Sequence, residues 1–216
     1  MAAKLAVPSE EAFNQAKDSR FSPDVHRKLK DASVAVAGLG GLGSNIAVML
    51  ARTGIGHLHI VDFDKVDLTN LNRQAYSTLH LGETKTTALT QILLEINPYI
   101  RITSECVRVT EDNAVKLFGD YKIVCEAFDN PDAKAMLVNT LLEKCPNTTV
   151  VSGTGLAGYV SANTIRSRKI TDRLYVCGDC ESDALAGIGL MAPRVSICAG
   201  HQANIVVRLI LGLKDA

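Results

Sequence analysis

From residue 33 onwards, the apolar positions of the chain alternate between two spacings. Short apolar runs typical of buried strands are followed by stretches in which apolar residues recur at helical spacing. The pattern predicts strands at 33–37, 57–61, 100–107, 121–126 and 148–152, helices at 44–53, 84–96 and 131–144, and a short helical turn near 111–118. This alternation predicts an α/β fold with a Rossmann-like, doubly wound, mostly parallel sheet.

The last third of the chain departs from this alternation. Beyond Gly153 the sequence contains Gly-rich turns and two short strand candidates, at 159–165 and 174–177. A final helix is predicted after Pro193, because apolar residues there recur at helical spacing. We therefore expect a short C-terminal extension of strand and helix beside the main sheet.

The first 31 residues are polar and differ from the rest. Ser9 and Glu10 suit the start of a short helix, and Ser22 followed by Pro23 suits a break. No linker-like tract interrupts the remaining sequence. We therefore predict an N-terminal arm at 1–31 and a single domain at 32–216.

Composition narrows the class of protein. The chain has 216 residues, 47% of them hydrophobic and 5% aromatic, which is enough for one core. Its 23 basic residues balance 23 acidic ones, so no overall field favours nucleic acid or an anionic membrane. We find neither a secretory pattern nor an apolar run of bilayer length, and the six cysteines are dispersed. The sequence predicts a cytoplasmic protein with reduced thiols that binds neither nucleic acid nor membrane.

A glycine-rich turn follows the first predicted strand. Gly38, Gly40 and Gly43 fit the pattern G-x-G-x-x-G between a strand and a helix, with Gly41 as a fourth glycine. A helix N-terminus offers unpaired N–H groups and partial positive charge to a phosphate. Asp62, nineteen residues after Gly43, is placed to accept ribose hydroxyls. These features predict a bound nucleotide, but they do not choose between a redox dinucleotide and a nucleoside triphosphate.

The polar stretch after Asp62 adds groups that can bind phosphate. Asp64, Asn70 and Arg73 lie in the sequence FDKVDLTNLNRQ, and Lys85 stands near the start of the next predicted helix. Asn70 can donate through its amide, and Arg73 presents a planar fork of donors. An oxidoreductase leaves these groups without a task. The alternative is that Arg73 and Lys85 only solvate the ends of helices.

A further carboxylate follows the predicted strand at 121–126. Asp129 and Asn130 stand at the sheet edge where open α/β proteins place ligands, directly before Pro131. A carboxylate beside phosphates suits magnesium. Asp129 equally suits the N-cap of the helix that begins near Pro131, and the sequence leaves both interpretations open.

Taken in order, these motifs resemble the ThiF/MoeB/HesA family, the bacterial relatives of ubiquitin-activating enzymes. The motifs are GLGGLGS, VDFDKVDLTNLNRQ, a lysine on the following helix, and FDN. The resemblance implies ATP along the glycine loop, Asp62 at its ribose and magnesium at Asp129. The nucleotide-binding residues that it implies are Gly38, Gly40, Gly41, Gly43, Asp62, Asp64, Asn70, Arg73, Lys85 and Asn130.

The same resemblance implies a reaction and partners. Residues 32–216 would be a single ATP-binding adenylyltransferase domain that adenylylates the C-terminal glycine of a ubiquitin-like sulfur carrier and releases pyrophosphate. The C-terminal third is most similar to short members that act on the thiamine sulfur carrier ThiS, which implies a role in thiamine biosynthesis. In this family an N-terminal arginine reaches across a homodimer into the partner's ATP site. Arg20 matches that position, and the alternative is a free surface arginine. The implied catalytic residues are Arg20, Arg73, Lys85 and Asp129.

Cys177 and Cys180 form a C-x-x-C pair. Many family members bind structural zinc with such a pair and a second one near the C-terminus, which this chain lacks. Cys198 and His201 suit the remaining zinc positions by spacing, but both fall in the predicted final helix, and we favour packed thiols over zinc. Some relatives carry an acceptor cysteine in the following loop. Here either Cys180 takes that role or the chain only adenylylates, which we favour.

Three other functions compete with this interpretation. An NAD-dependent oxidoreductase shares the glycine motif and Asp62. A superfamily enzyme that adenylylates a carbonyl on modified tRNA for cyclisation is disfavoured by the neutral charge. A non-catalytic scaffold that grips a ubiquitin-like partner is disfavoured by the complete set of nucleotide-binding candidates.

Overall fold

The computed structural model describes residues 7–182 and 187–216, in which strands and helices alternate as the sequence predicts. The strands are β1 (Ser33–Ala37), β2 (His57–Val61), β3 (Arg101–Glu105), β4 (Ile123–Glu126), β5 (Thr149–Gly153), β6 (Arg166–Thr171) and β7 (Leu174–Gly178). The helices are α1 (Glu10–Asp18), α2 (Pro23–Lys30), α3 (Gly41–Thr53), α4 (Lys85–Ile96), α5 (Glu111–Phe118), α6 (Pro131–Lys144) and α7 (Ala192–Ile210). Among these described residues, none of the helices is both long and apolar enough to cross a bilayer.

The seven strands form one sheet in the order β3-β2-β1-β4-β5-β7-β6. All neighbours are parallel except β6, which runs antiparallel to β7. β1 pairs with β2 on one side and with β4 on the other, so the strand order reverses there. A crevice forms at the carboxyl edge of such a reversal, where open α/β sheets bind ligands. The predicted Rossmann-like α/β class is therefore confirmed.

Alternate residues of the central strands face two separate cores. Val34 and Val36 of β1 pack with α3, α4 and α7, whereas Ala35 and Ala37 pack with α5 and α6. All four side chains are fully buried. The helices thus cover both faces of the sheet, which explains why these strands are continuous apolar runs.

The N-terminal segment is helical, and Phe21, Val25 and Leu29 attach it to the core. α1 buries no residue, whereas Leu29 of α2 lies in the core cluster. Nδ1 of His26 lies 2.6 Å from Oδ1 of Asp18 and links the two helices. The division into 1–31 and 32–216 stays a prediction.

Two predicted elements differ from the structure. The strand predicted at 159–165 is wrong, because Ser161 caps a 3₁₀ turn at Ala162–Thr164 and the strand begins only at Arg166. β6 is an edge strand with mostly exposed side chains, so it carries no apolar alternation to reveal it. The helix predicted at 44–53 begins earlier, at Gly41, because Gly41 and Gly43, which suggest a turn, belong to its first turn.

Candidate functional site

A cleft of about 570 Å³ opens where the strand order reverses. Its lining comes from the segments that follow β1, β2, β3, β4, β5 and β7, together with side chains of α4, α6 and α7. The predicted residues that line it are Gly38, Gly40, Gly41, Asp62, Asp64, Asn70, Arg73, Lys85 and Asp129, joined by Cys180. The fold thus brings together most of the residues that the sequence singles out.

The glycines have separate tasks in the turn after β1. Gly38 has φ +87°, and an added Cβ would lie 2.9 Å from Cδ1 of Phe128. A Cβ at Gly43 would lie 1.8 Å from the carbonyl oxygen of Gly38, so this glycine lets α3 approach the turn. Gly43 is buried and does not line the cleft, which places its contribution in packing rather than in ligand contact.

The N-terminus of α3 faces the cleft through Gly40 and Gly41. No side chain of the described residues caps this helix, whose N-cap is Gly40 itself. Its first N–H groups therefore remain available to an anion. Val195 of α7 packs here, since a Cβ on Gly41 would lie 3.0 Å from its Cγ1.

Asp62 fixes the turns after β1 and β2 together. It is 8% exposed, and its Oδ2 accepts the N–H of Leu39 at 2.6 Å while Oδ1 accepts the N–H of Asp64 at 2.7 Å. Each carboxylate oxygen keeps acceptor capacity for a ligand hydroxyl. Burial, then the carboxylates of Asp62 and Asp64, raise the pKa of Tyr76 far above its ordinary value, so its hydroxyl stays a neutral donor to Leu39.

Lys85 reaches the cleft from the first turn of α4. The Thr84 side chain accepts the N–H of Thr87 and caps this helix, so Lys85 is its first residue. The Lys85 side chain is only 7% exposed, and Nζ donates to Oδ2 of Asp64 at 2.9 Å. An ammonium has three donors, so two remain for a ligand.

Arg73 and Asn70 lie on the segment between β2 and α4. Nη1 of Arg73 donates to the carbonyl oxygen of Thr69 at 3.1 Å and to Oδ1 of Asn72 at 2.7 Å. Its Nε is buried and has no hydrogen-bond partner among the described residues. Oδ1 of Asn70 accepts the N–H of Asp67 at 3.0 Å, which leaves the Asn70 amide nitrogen as a donor.

The structure separates Asp129 from Asn130. Oδ1 of Asn130 accepts the N–H of Ala133 at 2.9 Å and caps α6, so Asp129 is not the cap. Asn130 does not line the cleft, whereas Asp129 is exposed at its edge. The described residues contain no group of three or more His, Cys, Asp or Glu side chains arranged around a metal ion. The Asp129 carboxylate fits magnesium, which binds proteins through one or two carboxylates plus phosphate and water.

Arg20 stands apart from the other predicted catalytic residues. It lies between α1 and α2, is exposed, and does not line this chain's cleft. The single chain therefore brings Arg73, Lys85 and Asp129 together without it.

The cysteines do not converge on a zinc site. Cys177 and Cys198 are fully buried, and burial raises the pKa of Cys177 to about 11 and that of Cys198 to about 12. Nδ1 of His201 forms a hydrogen bond with Oγ of Ser167 at 2.9 Å. Cys180 is exposed instead, with φ 64°, at the rim of the cleft. The residues described do not fit structural zinc.

Two features in and directly behind the cleft wall are not predicted from the sequence. Glu126 is fully buried. Its carboxylate accepts hydrogen bonds from Nζ of Lys134 and Oγ of Ser152, both at 2.6 Å, and from the N–H of Phe128 at 2.7 Å. A glutamate that ends the apolar strand IVCE is the one signal that could have found this network. The Arg108 guanidinium lies 3.8 Å from the centroid of the Phe63 ring, and both line the cleft beyond Asp62.

Two relatives cover about half of this chain. The chain is 38% identical over 112 residues to the sulfur carrier protein adenylyltransferase of Thermus thermophilus, which is 51% of this chain and 41% of the relative. It is 41% identical over 111 residues to the adenylyltransferase and sulfurtransferase UBA4 of Kluyveromyces lactis, which is 51% of this chain and 25% of the relative. The chain spans between 25% and 44% of the length of the yeast and mosquito relatives that it matches.

Three further comparisons cover nearly the whole chain. The molybdopterin-synthase adenylyltransferase of Salmonella typhimurium is 32% identical over 200 residues, which is 88% of this chain and 77% of the relative. The E. coli tRNA N6-threonylcarbamoyladenosine dehydratase in complex with ATP has a TM-score of 0.84 at 22% identity, covering 96% of this chain and 98% of that one. This likeness supports the fold alone. The model of the ThiF family matches residues 14–216, and the chain therefore belongs to the ThiF family.

Proposed function

We propose that this chain uses ATP to adenylylate the C-terminal glycine carboxylate of a small ubiquitin-like sulfur carrier protein and releases pyrophosphate. The observation that carries the proposal is one cleft lined by the glycine turn, Asp62, Arg73 and Lys85. The relatives named as adenylyltransferases support it. An NAD-dependent oxidoreductase would leave Arg73 and Lys85 without a task.

The proposed reaction joins two anions. A carboxylate oxygen attacks the α-phosphorus of ATP, a new bond forms between that oxygen and phosphorus, and the bond to the β-phosphate oxygen breaks. Pyrophosphate leaves with the electron pair, so the step needs neither a proton transfer nor a protein nucleophile. Catalysis then consists of positioning and of charge stabilisation by preorganised donors.

Each cleft residue has a defined task in this proposal. Gly40 and Gly41 present N–H groups to phosphate, and Asp62 accepts hydrogen bonds from the ribose hydroxyls. Arg73 and Lys85 reduce the repulsion between the phosphates and the incoming carboxylate. Asp129 would hold magnesium, which offsets phosphate charge when bound.

The proposal includes a homodimer. Arg20 is exposed and remote from its own cleft, which supports a role at the cleft of a partner copy. We further propose a ThiS-type carrier and a cytoplasmic role in thiamine biosynthesis, supported by the likeness of the C-terminal third to short members of the family.

The test is exchange of labelled pyrophosphate into ATP in the presence of a ThiS-type carrier. We expect exchange that depends on the carrier, and a carrier mass increased by one AMP. A carrier without its terminal glycine is the control. Exchange supported by tRNA instead, or binding of NAD without ATP, would contradict the proposal.

A further inference from the structure

An ion pair outside the cleft lining lies beneath two of the cleft's loops. Arg194 in the first turn of α7 is 3% exposed, and Asp179 directly after β7 is 7% exposed. Nη2 of Arg194 donates to Oδ2 of Asp179 at 2.5 Å. Neither residue is among those that line the cleft.

Arg194 ties the ion pair to the loop that follows β5. Its Nη1 donates to the carbonyl oxygen of Ser161 at 2.7 Å and to that of Val160 at 3.0 Å. Oγ1 of Thr164 is a third acceptor at 3.3 Å. One guanidinium therefore fixes the backbone of this loop against Asp179.

Asp179 ties the pair to the loop that follows β7. Its Oδ1 accepts the N–H groups of Glu181 and Ser182, both at 2.9 Å, and its own N–H donates to the carbonyl oxygen of Gly155 at 2.8 Å. Ser182 Oγ accepts the N–H of Ala157 at 3.0 Å, which links the two loops a second time. Burial alone would raise the pKa of Asp179, but the N–H groups of Ser182 and Glu181, the Ser182 hydroxyl and Arg194 lower it below its ordinary value.

Both loops form one side of the cleft. Residues 154–157 and 180–182 line it, and we call 154–164 and 179–182 the acceptor loops. They follow β5 and β7, which lie on one side of β1, whereas Asp62, Asp64 and Lys85 follow β2 on the other side. With the nucleotide along the glycine turn and β2, the acceptor loops remain for the second substrate.

We propose that Asp179 and Arg194 are positioning residues that hold the acceptor loops where the carboxylate-bearing substrate meets the nucleotide. The inference rests on the proposed function. Burying an ion pair has a desolvation cost, and apolar side chains of similar volume often stabilise a fold equally well. What apolar side chains cannot supply is the set of hydrogen bonds from these two side chains to four backbone groups of the loops, namely the N–H groups of Glu181 and Ser182 and the carbonyl oxygens of Val160 and Ser161.

The first test needs no carrier. Amide hydrogen exchange is measured on the intact chain and on Arg194→Lys, Asp179→Asn and the double variant Asp179→Asn/Arg194→Gln. We expect exchange in 154–164 to rise about tenfold or more, while 38–44 and 62–85 exchange as before. Arg208→Gln, which removes an ion pair with Asp215 at the other end of α7, is the matched control.

The second test separates the two substrates. The Kd for ATP is measured on the protein alone, and the KM for a ThiS-type carrier is taken from carrier-dependent pyrophosphate exchange. We expect the variants to keep the Kd for ATP within about twofold and to raise the carrier KM about tenfold or more. Ser182→Ala keeps the ion pair but removes the hydrogen bond between the two loops, so we expect a smaller rise in the carrier KM.

The outcomes distinguish this inference from the proposed function. Amide hydrogen exchange that rises throughout the domain, or a Kd for ATP that rises together with the carrier KM, means that the pair only stabilises the fold and overturns the inference. Unchanged hydrogen exchange in the acceptor loops overturns it too. Absence of carrier-dependent pyrophosphate exchange in the unmodified chain refutes the proposed function. The hydrogen-exchange result still decides which loops the ion pair holds.

Discussion

Arg73 and Lys85 are held in the cleft by different kinds of partner. Lys85 is paired with the half-exposed carboxylate of Asp64, whereas Arg73 donates to a carbonyl oxygen and to the neutral Asn72 side chain. Losing a neutral acceptor costs less than losing a charged one, so Arg73 can turn to a phosphate more easily. At the scale of the residue, Arg73 is therefore the sharper probe of the proposed reaction.

We predict that Arg73→Ala lowers kcat for adenylate formation by about a hundredfold or more, the usual effect of removing one preorganised donor. Unfolding temperature should change little, because the guanidinium bonds only local loop groups. Arg27→Ala removes an arginine of similar size from an exposed pair on α2 and serves as control. Undiminished turnover in Arg73→Ala would refute the assigned role.

The sequence predicts single residues of the cleft better than it predicts pairs. Asp62 and Lys85 stand at recognisable ends of a strand and a helix, so their meeting in the cleft follows from the parallel sheet. Asp179 and Arg194 carry no such signal, because their contact depends on how α7 returns across the end of β7. Cys180 shows the same limit, since nothing near it in sequence indicates that its backbone takes a positive φ.

At the scale of the element, α3 and α7 each contain a glycine whose surroundings differ. A Cβ at Gly43 would lie 1.8 Å from a backbone oxygen, whereas one at Gly200 would have no atom of the described residues within 4 Å. Glycine inside a helix otherwise lowers stability relative to alanine. The close approach of α3 to the turn after β1 therefore decides the identity of residue 43, and no comparable contact decides that of residue 200.

We predict that these two substitutions have opposite signs. Gly43→Ala should lower the free energy of unfolding by about 1–3 kcal/mol, because the backbone around it must move. Gly200→Ala should raise it by about 0.5–1 kcal/mol through helix propensity. Urea denaturation of both variants checks this, and a neutral or stabilising Gly43→Ala would mean that α3 does not approach the turn this closely.

β2 carries two buried histidines on one face. Nδ1 of His59 and Nε2 of His57 both lie within 3.0 Å of Oγ1 of Thr103, and His59 stacks on Tyr121 at a centroid distance of 5.0 Å. Burial lowers the pKa of both, with Arg101 and His59 adding to the effect at His57 and Glu105 opposing it at His59. The folded state therefore holds them neutral to lower pH than the unfolded chain does.

We predict that the contribution of these neutral histidines to stability is fully present above pH ~6.5. As the pH drops below that value, the free energy of unfolding falls by up to about 1.4 kcal/mol per histidine and pH unit. The double variant His57→Gln/His59→Gln should show a smaller fall between pH 6.5 and 5.5. Urea titrations at several pH values measure this. An equal fall in both proteins would mean that other groups cause it.

At the scale of the whole molecule, the arrangement of the sheet decides which parts can act together. The cleft takes its nucleotide-binding candidates from the first part of the chain and its acceptor loops from the last part. Arg20 belongs to neither wall, and in our proposal a second copy supplies it. A complete site then needs two subunits, which activity measurements can test directly.

We predict that a mixture of two inactive variants regains activity. In a heterodimer of Arg20→Ala and Arg73→Ala, one cleft has its own Arg73 and receives Arg20 from the other subunit. Random pairing of equal amounts should restore about a quarter of the unmodified activity. Each variant mixed only with itself is the control, and no recovery after demonstrated subunit exchange would rule out the shared site.

Val195 of α7 packs against Gly41 in the first turn of α3, where an added Cβ would lie 3.0 Å from its Cγ1. A nascent or clipped polypeptide that lacks α7 would still contain Asp62 and Lys85, yet its nucleotide pocket would be open on one side. In our proposal the cleft binds ATP, so a chain cut before α7 should retain nucleotide poorly. Retained nucleotide would then report that the molecule is intact as far as α7.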